Sequence, residues 1–203
     1  MTREKELRPS AGDALIVVDV QNDFLPGGAL GVPGGDRIIA PLNEVIRIFS
    51  RGALPLFFTR DWHPRDHCSF SENGGPWPAH CVQHTRGAEF SDMLTIPENA
   101  VIISKATSSG EEEYSTIQGR TAEGDFLEER LRHLEVRRLF IGGLATDYCV
   151  LNTVLDARAL GFAVFVLTDA IQAVDVNPGD GERALHTMQD RGARLIRSED
   201  ITA

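Results

Sequence analysis

The stretch 136-VRRLFIGGLATDYCVLNTVLDARALGFAVFVLTD-169 decides the fold. Its first part, 136–143, is an apolar run with the β-branched and aromatic residues of a buried strand, and it ends in a Gly-Gly turn. The period then changes. Cys149, Val150, Thr153, Val154, Ala157 and Leu160 recur at helical spacing, Thr146 is placed to cap a helix over roughly 147–160, and Gly161 stops it. A second buried strand follows at 162–169. Strands that are apolar on both faces, joined through a helix, belong to a parallel sheet covered on both sides.

The rest of the chain repeats this alternation. The runs 14-ALIVVD-19, 54-LPLFFT-59, 100-AVIIS-104 and 193-ARLI-196 read as further strands, with helices from Asp36 to about Gly52, over 124–134 and over 178–191. The expectation is one three-layer α/β/α domain over residues 1–203, with a six-stranded parallel sheet and residues 1–13 as a loose leader. Residues 61–99 show no period and carry Trp, His, Cys, Gly and Pro, the composition of a long functional loop.

The 203 residues carry 20 Lys plus Arg against 30 Asp plus Glu, a formal charge of −10. That sign argues against nucleic acid and against an anionic membrane surface as partners. No apolar run approaches the ~20 residues of a spanning helix, and three cysteines do not suit a disulfide framework, so a cytoplasmic location is expected. The partner class left is a small molecule, with a homo-oligomer left open. The glycines after the first strand do not follow the order of a dinucleotide-binding loop.

In such sheets, ligands sit beyond the carboxyl ends of the strands. Those ends deliver Asp19, then 60-RDWH-63, then Lys105, and then Cys149 at the start of a helix. Cys149 reads as a nucleophile, its thiolate favoured by the helix terminus, although a free cysteine is often just a small buried hydrophobe. Asp19 reads as its general base and Lys105 as the ammonium beside both, with structural ion pairing as the alternative. Asp61, His63 and His80 form a carboxylate-plus-two-imidazole set with positions to spare on a divalent metal; zinc heads the candidates, and iron and manganese also fit. Phe24 and Trp77 suit the flanks of a flat ring, and Tyr148 adjoins the cysteine. The acidic run 111-EEE-113 reads most simply as a solvated loop.

The pieces 19-DVQNDFLPGGAL-30, 59-TRDWHP-64, 77-WPAHCVQ-83, Lys105 and 142-GGLATDYCV-150 resemble the nicotinamidase/pyrazinamidase branch of the isochorismatase-like cysteine hydrolases, in order over roughly residues 14–196. The resemblance implies an Asp19–Lys105–Cys149 triad and metal ligation by Asp61, His63 and His80, with His67 as a further ligand or a neighbour of the site. It also implies a cis peptide between Leu144 and Ala145, an oxyanion hole from the N–H groups of Ala145 and Cys149, and hydrolysis of nicotinamide to nicotinate and ammonia in NAD salvage. The alternative is a metal-free amidohydrolase of the same superfamily acting on a carbamoyl, ureido or maleamate-type substrate. The segment 105-KATSSGEEEYSTIQG-119 departs from the family pattern: Ala106 replaces a glycine and Ile117 an aromatic, while Tyr114-Ser115 is kept.

Overall fold

A computed structural model describes residues 7–203. Six strands, β1 (Asp13–Val18), β2 (Leu56–Asp61), β3 (Val101–Lys105), β4 (Arg138–Leu144), β5 (Ala163–Gln172) and β6 (Arg194–Ile196), pair in the order β3-β2-β1-β4-β5-β6. Every pairing is parallel. The helices are α1 (Ile39–Arg51), α2 (Leu127–His133), α3 (Leu151–Ala159) and α4 (Asp180–Asp190).

Residues alternate between two cores because successive strand side chains point to opposite faces. Leu15 and Val17 of β1 pack with Leu42, Val45, Ile46 and Phe49 of α1. Ala14, Ile16 and Val18 pack with Leu127 and Leu131 of α2, Val154 and Ala157 of α3, and Ala184 and Met188 of α4. The division follows from handedness. A right-handed crossover puts its helix on one face when the chain moves left in the sheet and on the other when it moves right. The β1-to-β2 step runs one way, and the steps to β4, β5 and β6 run the other. The strand order therefore reverses between β1 and β4, and a crevice opens beyond their carboxyl ends.

β4 closes tightly on β1 there. Gly143 pairs with Val18 at a φ of 127°, and a Cβ at Gly143 would overlap the Val18 carbonyl oxygen. Only glycine combines that φ with that approach.

Two local expectations change. Residues 1–6 of the expected leader lie outside the described residues, but 7–13 are not loose. Leu7 bridges to Ile201 and exchanges backbone hydrogen bonds with Asp200 and Thr202, and Asp13 opens β1 as a buried partner of Arg138. The helix after β4 does not start with a Thr146 cap. Thr146–Val150 form a π-helical turn, no side chain caps it, and α3 begins at Leu151. Short π segments of this kind mark functional sites. The long connection 62–100 contains only two short 3₁₀ turns, Ser71–Asn73 and Arg86–Ala88. Among the described residues, no helix is long and apolar enough to cross a membrane.

Candidate active site

Asp19 follows β1 directly and sits at a φ of 49°, a left-handed conformation that aspartate tolerates better than most residues. Lys105 ends β3 beside Asp61, its register partner at the end of β2. The side chains of Asp19 and Lys105 have no exposed surface, so the ammonium is held by protein groups alone. Its Nζ lies 3.0 Å from Asp19 Oδ2, contacts Asp61 Oδ1, and donates to Cys149 Sγ at 3.4 Å. Thr59 Oγ1 donates to Asp19 Oδ1 at 2.6 Å. Asp19 Oδ2 faces the Lys105 ammonium and has no further partner. The structure thus brings together the three residues that the strand ends delivered separately.

Electrostatics set the resting proton positions. Burial raises the Asp19 carboxyl above its ordinary range, against the pull of Lys105. Burial alone would lower the Lys105 ammonium, but the Asp19 and Asp61 carboxylates outweigh it and leave it well above its usual value. Burial also pushes the Cys149 thiol well up, with Lys105 opposing and Asp19 adding to the rise. The resting site therefore holds a thiol beside a carboxylate, with a fixed cation touching both.

Asp61, His63 and His80 offer ligand atoms that all lie within 4.8 Å of one another. Both imidazoles are set by backbone carbonyls. His63 Nδ1 donates to Ala106 O at 3.2 Å and His80 Nδ1 to Pro78 O at 2.8 Å, which leaves each Nε2 as the unprotonated nitrogen with a lone pair to offer. Burial holds the His80 imidazole below its usual range and so keeps it neutral. Burial would raise the Asp61 carboxyl, but Lys105 and His63 hold it well below the usual carboxylate range. One anionic oxygen donor and two neutral nitrogens suit a divalent metal. The buried Gln21 clamps the Asp61 backbone: Nε2 donates to the carbonyls of Asp61 and Ala88, at 2.8 and 2.9 Å, and Oε1 accepts from Asp61 N at 2.8 Å.

His67 lies beside this set and outside it. Its ring lies tilted against His63, with centroids 4.1 Å apart, Nε2 donates to Glu111 O at 3.0 Å, and Nδ1 accepts from Ser69 Oγ at 2.7 Å. Both of its nitrogens are thus engaged by protein groups. Cys68, Cys81 and Cys149 are all free thiols.

Cys149, Asp61 and His80 open on one cavity of about 420 Å³, its mouth included, lined as well by Phe24, Trp77, Ala145 and Tyr148. Leu30, Glu112, Tyr114 and Val174 complete the wall and were not foreseen as lining residues. Trp77 Nε1 donates to Tyr114 Oη at 3.2 Å, and the Trp77 ring meets Tyr148 edge-on at 5.1 Å. The acidic run 111–113 is solvated as expected at Glu111 and Glu112, which are exposed, while Glu113 is half-buried, and the run is also tied to the site. Glu111 holds His67 through its carbonyl, Glu113 Oε2 accepts from Ala106 N at 2.5 Å, and Glu112 lines the cavity. Retention of Tyr114 beyond the run was the signal for its place in the wall. Nothing in the local sequence marked Thr59 or Glu112. The peptide between Leu144 and Ala145 is cis, as the resemblance implied.

This geometry has close counterparts. The family model for the isochorismatase domain matches residues 13–200. The nicotinamidase of Escherichia coli is 36% identical over 204 residues, covering 92% of this chain and 95% of its own. The crystal structure of the pyrazinamidase of Pyrococcus horikoshii in complex with zinc is similar at 51% identity and a TM-score of 0.85, over 92% of this chain and 99% of that one. A protein from L. infantum, solved in complex with nicotinate, is similar at 36% identity and a TM-score of 0.82, over 95% and 96% of the two chains. On a domain match of that extent, with a buried Asp–Lys–Cys cluster at the sheet's switch point, the chain belongs to the isochorismatase family.

Proposed function

We propose that the protein is a nicotinamidase, hydrolysing nicotinamide, and with it pyrazinamide, to the free acid and ammonia through a thioester on Cys149. The observation that carries this reading is one aromatic-walled cavity shared by the triad cysteine and by Asp61 and His80 of the Asp61–His63–His80 set.

Phe24, Trp77 and Tyr148 flank the ring of the substrate. Asp61, His63 and His80 would hold a divalent ion, zinc in this reading, and the bound ion would supply a Lewis-acidic anchor for the ring nitrogen. Asp19 takes the thiol proton as Cys149 Sγ forms a bond to the amide carbon. The carbonyl electron pair moves onto oxygen, which the N–H groups of Ala145 and Cys149 receive; one such donor is worth ~3 kcal/mol of barrier. The C–N bond then breaks, and Asp19 passes its proton to the leaving nitrogen, releasing ammonia. A water gives a proton to Asp19 as its oxygen attacks the thioester carbon. The C–S bond breaks and the thiolate recovers that proton. Lys105 stays charged throughout and balances whichever of Asp19 or Cys149 is anionic. Free thiols suit a reduced cytoplasmic setting, with NAD salvage as the use of the product.

The test is ammonia release from nicotinamide before and after chelation. We expect release to fall with the metal and return on its replacement, and Cys149→Ala to abolish turnover while keeping its metal. Full release by metal-stripped protein would favour the metal-free amidohydrolase alternative. Turnover by Cys149→Ala near the parent level would refute the nucleophile.

A further inference from the structure

We propose that Glu112 sets the charge selectivity of the catalytic cavity, favouring uncharged amides and repelling carboxylates, the acid product among them. The inference rests on the nicotinamidase reading and deepens it.

Glu112 is exposed and stands at the rim of the cavity, on a segment anchored through its neighbours. On one side the Glu111 carbonyl accepts from the buried His67 ring at 3.0 Å. On the other, Glu113 Oε2 accepts from Ala106 N at 2.5 Å, and Tyr114 Oη accepts from Trp77 Nε1 at 3.2 Å. Three anchors within four residues leave Glu112 as the member of the run that lines the cavity, alongside Asp61, His80 and Cys149. Among the described residues that line it, none is lysine or arginine.

The charge balance gives this placement its consequence. Within the buried cluster the Lys105 ammonium faces two carboxylates, Asp19 and Asp61, while the thiol and the imidazoles are neutral. A divalent ion on Asp61, His63 and His80 would leave that cluster with one net positive charge. A site of that sign would retain an anionic product at the position where a neutral amide had bound. The Glu112 carboxylate cancels the excess. Hydrolysis turns an uncharged carboxamide into a carboxylate, so the same residue that tolerates the substrate disfavours the product. Amides that carry their own carboxylate are disfavoured for the same reason.

The experiment is titration calorimetry of two ligands, nicotinate and the uncharged 3-methylpyridine, into metal-loaded Cys149→Ala and into Cys149→Ala/Glu112→Gln. Reading binding in this background removes turnover from the measurement. Charges several ångströms apart at a partly hydrated site interact strongly enough to expect roughly a three- to tenfold fall in the ratio of the nicotinate to the 3-methylpyridine dissociation constant in the Glu112→Gln protein. An unchanged ratio would overturn the inference, whether both constants stay put or move together, since a packing role moves both alike. No nicotinate binding to either protein would also overturn it. Failure of the function shows separately, as no ammonia from nicotinamide with the unaltered metal-loaded protein, and the inference would then fall with it.

Discussion

Thr59→Val removes one hydroxyl and keeps the shape of the side chain. In the native site that hydroxyl donates to Asp19 Oδ1 at 2.6 Å, with both residues fully buried. A hydrogen bond to a buried carboxylate contributes ~1.5–3 kcal/mol, and valine leaves the oxygen with no replacement. We therefore expect a loss of about 2 kcal/mol at neutral pH, or roughly 4–8 °C in Tm for a chain of this size. The sign with pH follows from Asp19. Burial already raises its carboxyl above the ordinary range, and the Thr59 bond works in the opposite direction, so its removal raises the carboxyl further. A carboxyl raised on folding contributes stability that is present below its unfolded pKa and is lost as pH rises through its folded value. The deficit of the variant should accordingly be small while Asp19 is protonated in both proteins, grow as pH climbs from the parent's raised folded value to the variant's still higher one, and be complete above that. In the proposed mechanism Asp19 accepts the thiol proton and has to be ionised to do so, and the acidic limb of kcat/KM should therefore move to higher pH in the same variant. Urea unfolding across pH and a pH–rate profile read the two effects. A deficit independent of pH, together with an unmoved acidic limb, would refute the role of Asp19 as the base tuned by Thr59.

Gln21→Leu strips the clamp from the Asp61 backbone, leaving the Asp61 and Ala88 groups it serves without partners. Metal affinity, measured by competition with a chromophoric chelator, should fall ~10–100-fold, as losses of groups supporting a metal ligand do. Gly143→Ala forces a methyl onto the Val18 carbonyl at a φ of 127°, so the closure of β4 on β1 must give. Thermal unfolding should register a loss of about 3 kcal/mol or more, and a loss below 1 kcal/mol would show that the sheet relaxes freely there.

Much of the protein is readable from the chain because its strands are apolar on both faces and its helices on one. Period alone places β1, β4, α3 and β5, and the rule for parallel sheets then puts Asp19, Asp61, Lys105 and Cys149 at one edge. The spacing of Asp61 and His63 on one turn marks the metal set in the same way. Thr59 was hidden because a threonine in a β-strand run looks like any other strand residue, and which face it meets depends on register. Glu112 was hidden because an acidic run is most often solvated, as this one largely is, and only the fold brings the exposed middle residue to the rim of the cavity.

The sequence by itself determined the residue types and the alternation that carries them to the strand ends, since both are local properties of hydrophobic period and side-chain chemistry. Only the tertiary structure decided that His67 lies against His63 with both ring nitrogens engaged, that Cys149 rides on a π turn, and that Lys105 is shared by two carboxylates and a thiol. Those outcomes depend on distances between segments far apart in the chain, which are settled when the strands pair and the buried charges find their partners.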